Sequence, residues 1–282
     1  LYSMMGTTEW IMTNRDINYK EYPKLAKTFY PSEFDADAWV KAIKAAGAKY
    51  ITITTRHHDG FSLFKTATSS YNSVDGTPFK RDIIKEMADA CQRNGIKLHL
   101  YYSHLDWGRE DYPVGRTGTG TGRPKEKANW ASYNKFMNTQ LTELLTNYGK
   151  VGAIWFDGWW DHDSDAKPFD WQLEEQYAMI HKLQPQCLVA NNHHHTPFPG
   201  EDIQIFERDL PGENKAGLSG QSIGRLPLES CQTINEHWGY NITDTLYKSP
   251  KELIQMLVRA AGKNANLLLN IGPEPVSYTH LT

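Results

Sequence analysis

Seven short runs dense in β-branched and aliphatic residues recur along this 282-residue chain, and helical patterns separate most of them. That recurrence constrains the fold more than any other feature, because strands that alternate with helices pair in parallel through βαβ crossovers. The runs lie at 49–55 (KYITITT), 97–103 (KLHLYYS), 151–157, 187–190, 202–206, 226–234 and 266–271. Helical stretches are read at 35–46 (capped by Asp35, stopped by Gly47), 81–94 (stopped by Gly95), 128–147 and 171–183. A fifth, 250–261, opens with a Ser249/Glu252 capping box and Pro250 in its first turn. Polar and aromatic residues cluster just after the runs, where a (β/α) barrel keeps its active site. The expected class is therefore α/β, a (β/α)8-like TIM barrel that is irregular or missing its first strand. A chain that begins at Leu1 rather than Met fits the second option. Residues 1–273 are read as the barrel and 274–282 as a tail outside it. The Gly/Thr-rich stretch 115–124 reads as a mobile loop.

Composition removes several function classes. A net charge of -3 offers no basic face for nucleic acid. No run reaches the roughly 18 apolar residues that a membrane span needs. Three scattered cysteines (Cys91, Cys187 and Cys231) make neither a disulfide framework nor a zinc spacing. No signal peptide is read in this sequence, but a chain that starts at Leu1 rather than Met can have lost a leader, so compartment and oligomeric state stay open. Nine Trp and fifteen Tyr, beside a modest apolar fraction, suit a carbohydrate groove better than a thicker core.

The stretch VGAIWFDGWW, 151–160, starts as a buried strand and then sets Asp157 among Trp155, Trp159 and Trp160. Burying a charge costs several kcal/mol unless it is paired or used. An Asp walled by indoles is a weak structural choice but a good nucleophile for sugar cleavage, since aromatic rings pack on the apolar faces of sugars. Its competing role is to cap the following turn. Glycosidic cleavage needs a second carboxyl group across the bond. Glu207 in FERD and Glu229 in LPLES are the candidates, and nothing in the residues alone separates them.

His57 and His58 follow the first run, and His193 to His195 follow the fourth. A zinc hydrolase using these imidazoles is an alternative, although they lack the i, i+4 helical spacing of zincins. Glu9 with Trp10 can bind sugar hydroxyls or anchor a surface loop. Of Tyr101 and Tyr102, adjacent on one strand, one faces a site and the other the core; if Tyr102 faces the site, Tyr101 belongs to the core. Trp238 in HWGYN is core or groove wall. The Asp-rich stretch 161–170 reads as a solvated loop.

Together TTEW, KYITITTRHHDGF, LHLYYSHLDW, IWFDG, LPLESCQTINEHWGYN and NANLLLNIGP, in that order over nearly the whole chain, resemble the retaining α-L-fucosidases of glycoside hydrolase family 29. The resemblance implies that Asp157 is the nucleophile, with Trp155 in the pocket beside it. It implies that His57, His58, Glu9, Trp10 and Tyr102 hold the fucose. Glu207 is favoured over Glu229 as acid/base. Asn191-Asn192-His193 stands where many members have Asn-Asp-Arg, so His193 is expected to replace the Arg as a sugar contact. A His-Trp-Gly-like strand end usual upstream and the usual C-terminal β-sandwich are absent, and Val276–Thr282 does not read as the family's continuation. The implied function is removal of terminal α-L-fucose from glycans without metal or cofactor, in a secreted, periplasmic or lysosomal setting. The alternative from another class is a fucose-binding module with impaired catalysis.

Overall fold

Parallel pairing runs in chain order through all seven strands: β1 (Tyr50–Arg56), β2 (Lys97–Ser103), β3 (Ala153–Asp157), β4 (Leu188–Asn192), β5 (Gln204–Glu207), β6 (Leu228–Thr233) and β7 (Ala265–Asn270). The computed structural model describes residues 1–218 and 220–274; the expected tail lies outside them from residue 275 on, as does the reading of Val276–Thr282. β1 to β4 form one sheet and β5 to β7 another, and a parallel Ala190–Ile203 bridge joins the two into one curved wall. Among the described residues β1 and β7 each pair on one side only. The result is an incomplete (β/α) barrel, as the seven runs predict.

The helices are α1 (Ile11–Asn14), α2 (Ala36–Ala45), α3 (Ile83–Asn94), α4 (Trp130–Asn147), α5 (Leu173–Leu183) and α6 (Pro250–Gly262). Their starts are chemically encoded. Asp35, Asp82 and Asn129 each accept a backbone N–H of the first turn, and Ser249 with Glu252 completes the expected capping box. α4 buries Tyr133, Phe136, Met137, Gln140, Leu141, Leu144 and Leu145, one face at helical spacing. Each fully buried apolar side chain there stabilises by about 1.5–3 kcal/mol. α6 is the exception: it buries only Ala260, while Ile254, Leu257 and Val258 stay exposed.

Helix alternation lapses after β4 and β5, where the described residues of 193–203 and 208–227 hold no helix. Pro197, Pro199 and Gly200 in the first link, and Pro211, Gly212, Gly217 and Gly224 in the second, remove the donors and the backbone bias a helix needs. Two expectations change. The 115–124 loop is anchored: Thr117 N–H and Oγ1 both donate to Asp161 Oδ1, and Gly118 N–H donates to Thr13 Oγ1. Asp161 itself is buried rather than solvated, with Tyr112 donating to its other oxygen. Cys91, Cys187 and Cys231 are buried and unbridged. No described helix is long and apolar enough to cross a membrane.

Candidate active site

Strand register decides which side chains meet. β2 and β3 align Tyr101 with Trp155, Tyr102 with Phe156, and Ser103 with Asp157. Successive side chains alternate faces, so Trp155 and Asp157 share the inner face with Tyr101 and Ser103, while Tyr102 points out with Phe156. The Tyr101 hydroxyl donates to Asp157 Oδ2 at 2.8 Å. Tyr102, fully buried, donates to Gln140 of α4 instead. The tyrosine beside Asp157 is therefore Tyr101, and the assignment to Tyr102 is corrected.

Asp157 ends β3 with its side chain 13% exposed. Its Oδ1 accepts Gly158 N–H at 2.8 Å and Trp160 Nε1–H at 3.0 Å. Gly158 has φ 96, and a Cβ there would sit 3.0 Å from Leu105, so the turn that aims this N–H requires glycine. The Asn192 amide nitrogen donates to Glu207 Oε2 at 2.7 Å and lies 3.5 Å from Asp157 Oδ1. His194 Nε2 contacts the same Glu207 oxygen at 2.9 Å. Burial and the Glu207 charge push the Asp157 carboxyl up to about 6, against the hydrogen bonds from Tyr101 and Trp160. Glu207 moves the other way: burial raises it, but the His194 bond and charge, Asn192 and Arg208 together hold it below the ordinary glutamate value.

Glu229 does not join this pair. It aligns with Ile205, two residues short of the Glu207–Cys231 level, which places it about 6–7 Å deeper in the barrel at ordinary strand rise. There it is sealed, accepting Tyr50 Oη–H and Trp155 Nε1–H (2.8 Å). Trp155 links the levels, because its ring also stacks on Tyr101 with centroids 5.5 Å apart.

A bulge between Thr54 and Arg56 in β1 turns Arg56 outward into a buried pair with Asp106 at 2.6 Å. The bulge leaves His57 facing in, where its ring stacks on Tyr101 at 5.6 Å. His58 Nε2 reaches to 3.5 Å from Asp157 Oδ2. Burial lowers the His57 pKa to about 4, partly offset by Asp59 and Glu9, and burial with the neighbouring His57 and Arg56 holds His58 well below the ordinary histidine value. Both rings are therefore neutral near pH 7. Ser103 Oγ donates to the Leu105 carbonyl, so it accepts from His58 Nδ1–H at 2.7 Å. A neutral His58 then presents a bare Nε2, an acceptor suited to a ligand hydroxyl, beside a carboxylate oxygen.

Glu9 and Trp10 come from the N-terminal segment to close this side. Glu9 Oε2 accepts Gly239 N–H at 3.2 Å, and Trp10 stacks on Trp160 at 5.5 Å with its edge toward His58. Trp238, next to Gly239, is half-buried under the Arg208 guanidinium. His193, the expected sugar contact, is instead buried against Glu201 at 3.0 Å, and His194 is the imidazole beside Glu207. Tyr101, Asn192 and His194 thus contact the carboxylate pair without having been assigned to it from the sequence, while Trp160 is the indole of the three expected around Asp157 that donates to it. Among the described residues no group of three or more His, Cys, Asp or Glu converges as metal ligands, which leaves the zinc reading without a donor set.

Glu9, Trp10, His57, His58, Asp157 and Glu207 line one cavity of ≈ 2440 Å³, which continues down the inner wall past Tyr50 and Glu229 and along Leu267 and Leu269 of β7. That exceeds the ~300–1,000 Å³ of an ordinary ligand pocket, because the wall does not close between β7 and β1.

Comparison with known proteins gives one answer. A family model described as Alpha-L-fucosidase matches residues 1–277. The plasma alpha-L-fucosidase of Rattus norvegicus is 30% identical over a 274-residue alignment that covers 92% of this chain and 54% of that protein. Alpha-L-fucosidase 1 of Arabidopsis thaliana is 27% identical, covering 87% of this chain and 48% of its own length. The chain therefore spans about half the length of the curated relatives it matches. Among solved structures, alpha-L-fucosidase isoenzyme 1 from Paenibacillus thiaminolyticus superposes with a TM-score of 0.84 at 36% identity, covering 98% of this chain and 66% of the other. AlfC from Lactobacillus casei, solved with alpha-L-fucose product, gives 0.82 at 29% identity, with 97% and 83% covered. The chain belongs to the alpha-L-fucosidase family, glycoside hydrolase family 29.

Proposed function

We propose that this chain hydrolyses terminal α-L-fucosides with retention of anomeric configuration, residues 1–273 acting as the catalytic barrel. The observation that carries the reading is the Asp157–Glu207 pair held by one amide. The oxygens sharing Asn192 Nδ2 can be no farther apart than the two contacts laid end to end, about 6 Å. Retaining enzymes hold their carboxyl groups about 5–5.5 Å apart and inverting ones roughly 6.5–9.5 Å; oxygens that share one amide support the closer arrangement, and membership of the family supports retention. Asp157 attacks the anomeric carbon and forms a glycosyl-enzyme. Glu207 protonates the departing oxygen, then takes a proton from the water that releases the sugar. Three donors on Asp157 favour its ionised form for attack. His57, His58, Glu9 and Trp10 bind the sugar: a sugar hydroxyl donates its one hydrogen to the bare His58 Nε2, and the Trp10–Trp160 stack walls its apolar face. Tyr101 orients the nucleophile, Trp155 supports Tyr101, and Trp238 borders the leaving-group side. No metal or cofactor enters this scheme.

The substrate class is a fucosylated glycan or glycoconjugate. AlfC has been solved with 4-nitrophenyl α-L-fucopyranoside and with Fucα(1,6)GlcNAc, and an aryl fucoside is the natural first probe here. Relatives named for plasma and tissue suit a secreted or lysosomal setting. The test is hydrolysis of 4-nitrophenyl α-L-fucopyranoside by the chain and by Asp157→Ala. Turnover should fall at least about 10³-fold in the variant, and azide should restore a β-fucosyl azide. Undiminished turnover in Asp157→Ala overturns the assignment; fucose binding by calorimetry with no turnover in either protein replaces it with a binding module.

A further inference from the structure

We propose that His194 is the positioning residue of Glu207 and shares a proton with it, so that binding of a neutral sugar moves this proton from the imidazole onto the carboxylate for delivery to the leaving group. The proposal rests on the reading of Glu207 as acid/base.

The fold brings the two residues together by register. Ala190 bridges Ile203 in parallel, and His194 and Glu207 each lie four residues further on. The contact joins His194 Nε2 and Glu207 Oε2 at 2.9 Å, with Asn192 holding the same oxygen at 2.7 Å. His194 adopts φ 68, a left-handed conformation that is costly for a non-glycine residue. Such a cost is tolerated where a side chain must be aimed. Its side chain is 17% exposed and that of Glu207 16%, so both sit at the pocket wall rather than in open water.

Proton counting gives the contact its chemistry. The first step needs Asp157 ionised, Glu207 protonated and the imidazole neutral, which is one proton on the three groups. An ion pair of imidazolium with Glu207 carboxylate, beside ionised Asp157, carries the same single proton. The two forms are tautomers related by transfer along the 2.9 Å contact. Water stabilises the ion pair, and a neutral sugar that excludes water favours the uncharged partners. The proton passes from Nε2 to Glu207 and then to the glycosidic oxygen as its bond to the anomeric carbon breaks and Asp157 bonds to that carbon. In the second step water gives a proton to Glu207 and its hydroxyl to the sugar, which restores the starting count.

The surroundings support such sharing. Burial disfavours the charged imidazole, but the Glu207 bond and the charges of Glu207 and Asp157 outweigh both burial and Arg116, leaving His194 above the ordinary histidine value. Of its loop neighbours, His193 is committed to Glu201 and His195 is exposed. Arg208, next to Glu207, lies over Trp238 and donates to the Glu236 carbonyl.

The experiment measures kcat/KM against pH for aryl α-L-fucosides with good and poor leaving groups, in the parent chain, His194→Asn, His194→Gly and Glu207→Gln. Asparagine and glycine both tolerate the left-handed backbone, so at least one histidine variant keeps the loop. The histidine variants should lose about 30-fold or more on poor leaving groups and several-fold less on activated ones, as partial loss of general acid catalysis requires. Their alkaline limb should move to lower pH. Equal losses across leaving groups, or an unmoved alkaline limb, overturn the proposal while a steep leaving-group dependence in Glu207→Gln leaves the acid/base reading intact. A flat dependence in Glu207→Gln removes that reading and the proposal with it.

Discussion

Tyr101 places its hydroxyl 2.8 Å from Asp157 Oδ2, while the next residue on the strand faces the helices. The relationship follows from parity across β2 and β3 and yields a clean contrast. Tyr101→Phe should lower kcat/KM for an aryl fucoside by about 10–100-fold, since a hydrogen bond to a charged group is worth about 1.5–3 kcal/mol. Tyr102→Phe should leave kcat/KM within about 2-fold and lower stability by about 1 kcal/mol through loss of its bond to Gln140. The opposite pattern in steady-state kinetics would restore Tyr102 to the site.

Removing the charge of Glu207 should change the titration of its partner. Burial and Glu207 hold the Asp157 carboxyl at about 6, so kcat/KM should fall as pH drops through that value and the nucleophile protonates. In Glu207→Gln the repulsion is gone, and the acid limb should move below 6. An activated aryl fucoside keeps the variant measurable, and an acid limb that stays in place shows that Glu207 does not set it.

Stability should carry the same signature with its sign reversed for function. The folded value of about 6 lies above the ordinary 3.8, so the folded state loses stability as pH rises from 3.8 through 6. About two pH units at about 1.4 kcal/mol each set a ceiling near 3 kcal/mol. Asp157→Asn removes that cost. Its amide oxygen can accept Gly158 and Trp160, and its NH2 can serve Tyr101 and His58. Denaturant unfolding should show a gain of about 1–3 kcal/mol at pH 7.5 and none at pH 3.5. A gain that is the same at both pH values would contradict it.

Glu229 offers a test of what depth in the barrel means. Glutamine can accept from Trp155 and donate to the Tyr50 oxygen, so Glu229→Gln should keep kcat/KM within about 3-fold; Glu229→Ala should destabilise by about 2 kcal/mol or more through the opened cavity and unpaired partners. If Glu229→Gln instead shows a steep leaving-group dependence, the acid/base role belongs to Glu229.

Much of this arrangement was legible in the residues. All seven strands, the Asp35 cap, the Gly95 stop and the Ser249/Glu252 box depend on local chemistry, and local chemistry is what a sequence displays. Asp157 was legible because an indole-walled carboxylate on a core strand has few other uses. Tyr101 was readable in principle: Leu98 and Leu100 mark the helix-facing side of β2, which puts His99, Tyr101 and Ser103 inside. Glu207 and Glu229 could not be ranked because their levels depend on register across β5 and β6. His194 and His193 could not be told apart because a left-handed backbone reverses side-chain parity, and no residue type in the triplet signals it. The burial of Asp161 depends on Tyr112 and Thr117, both far from it in the chain.

His194 and Arg208, one beside the pair's oxygen and one following Glu207, both hold left-handed backbones that glycine would adopt without cost. Selection for heat tolerance alone would therefore reward replacing them, just as it would reward an amide at position 157. A library sorted only for survival at high temperature should drift toward a sturdier and inert scaffold, so turnover has to be screened in the same round.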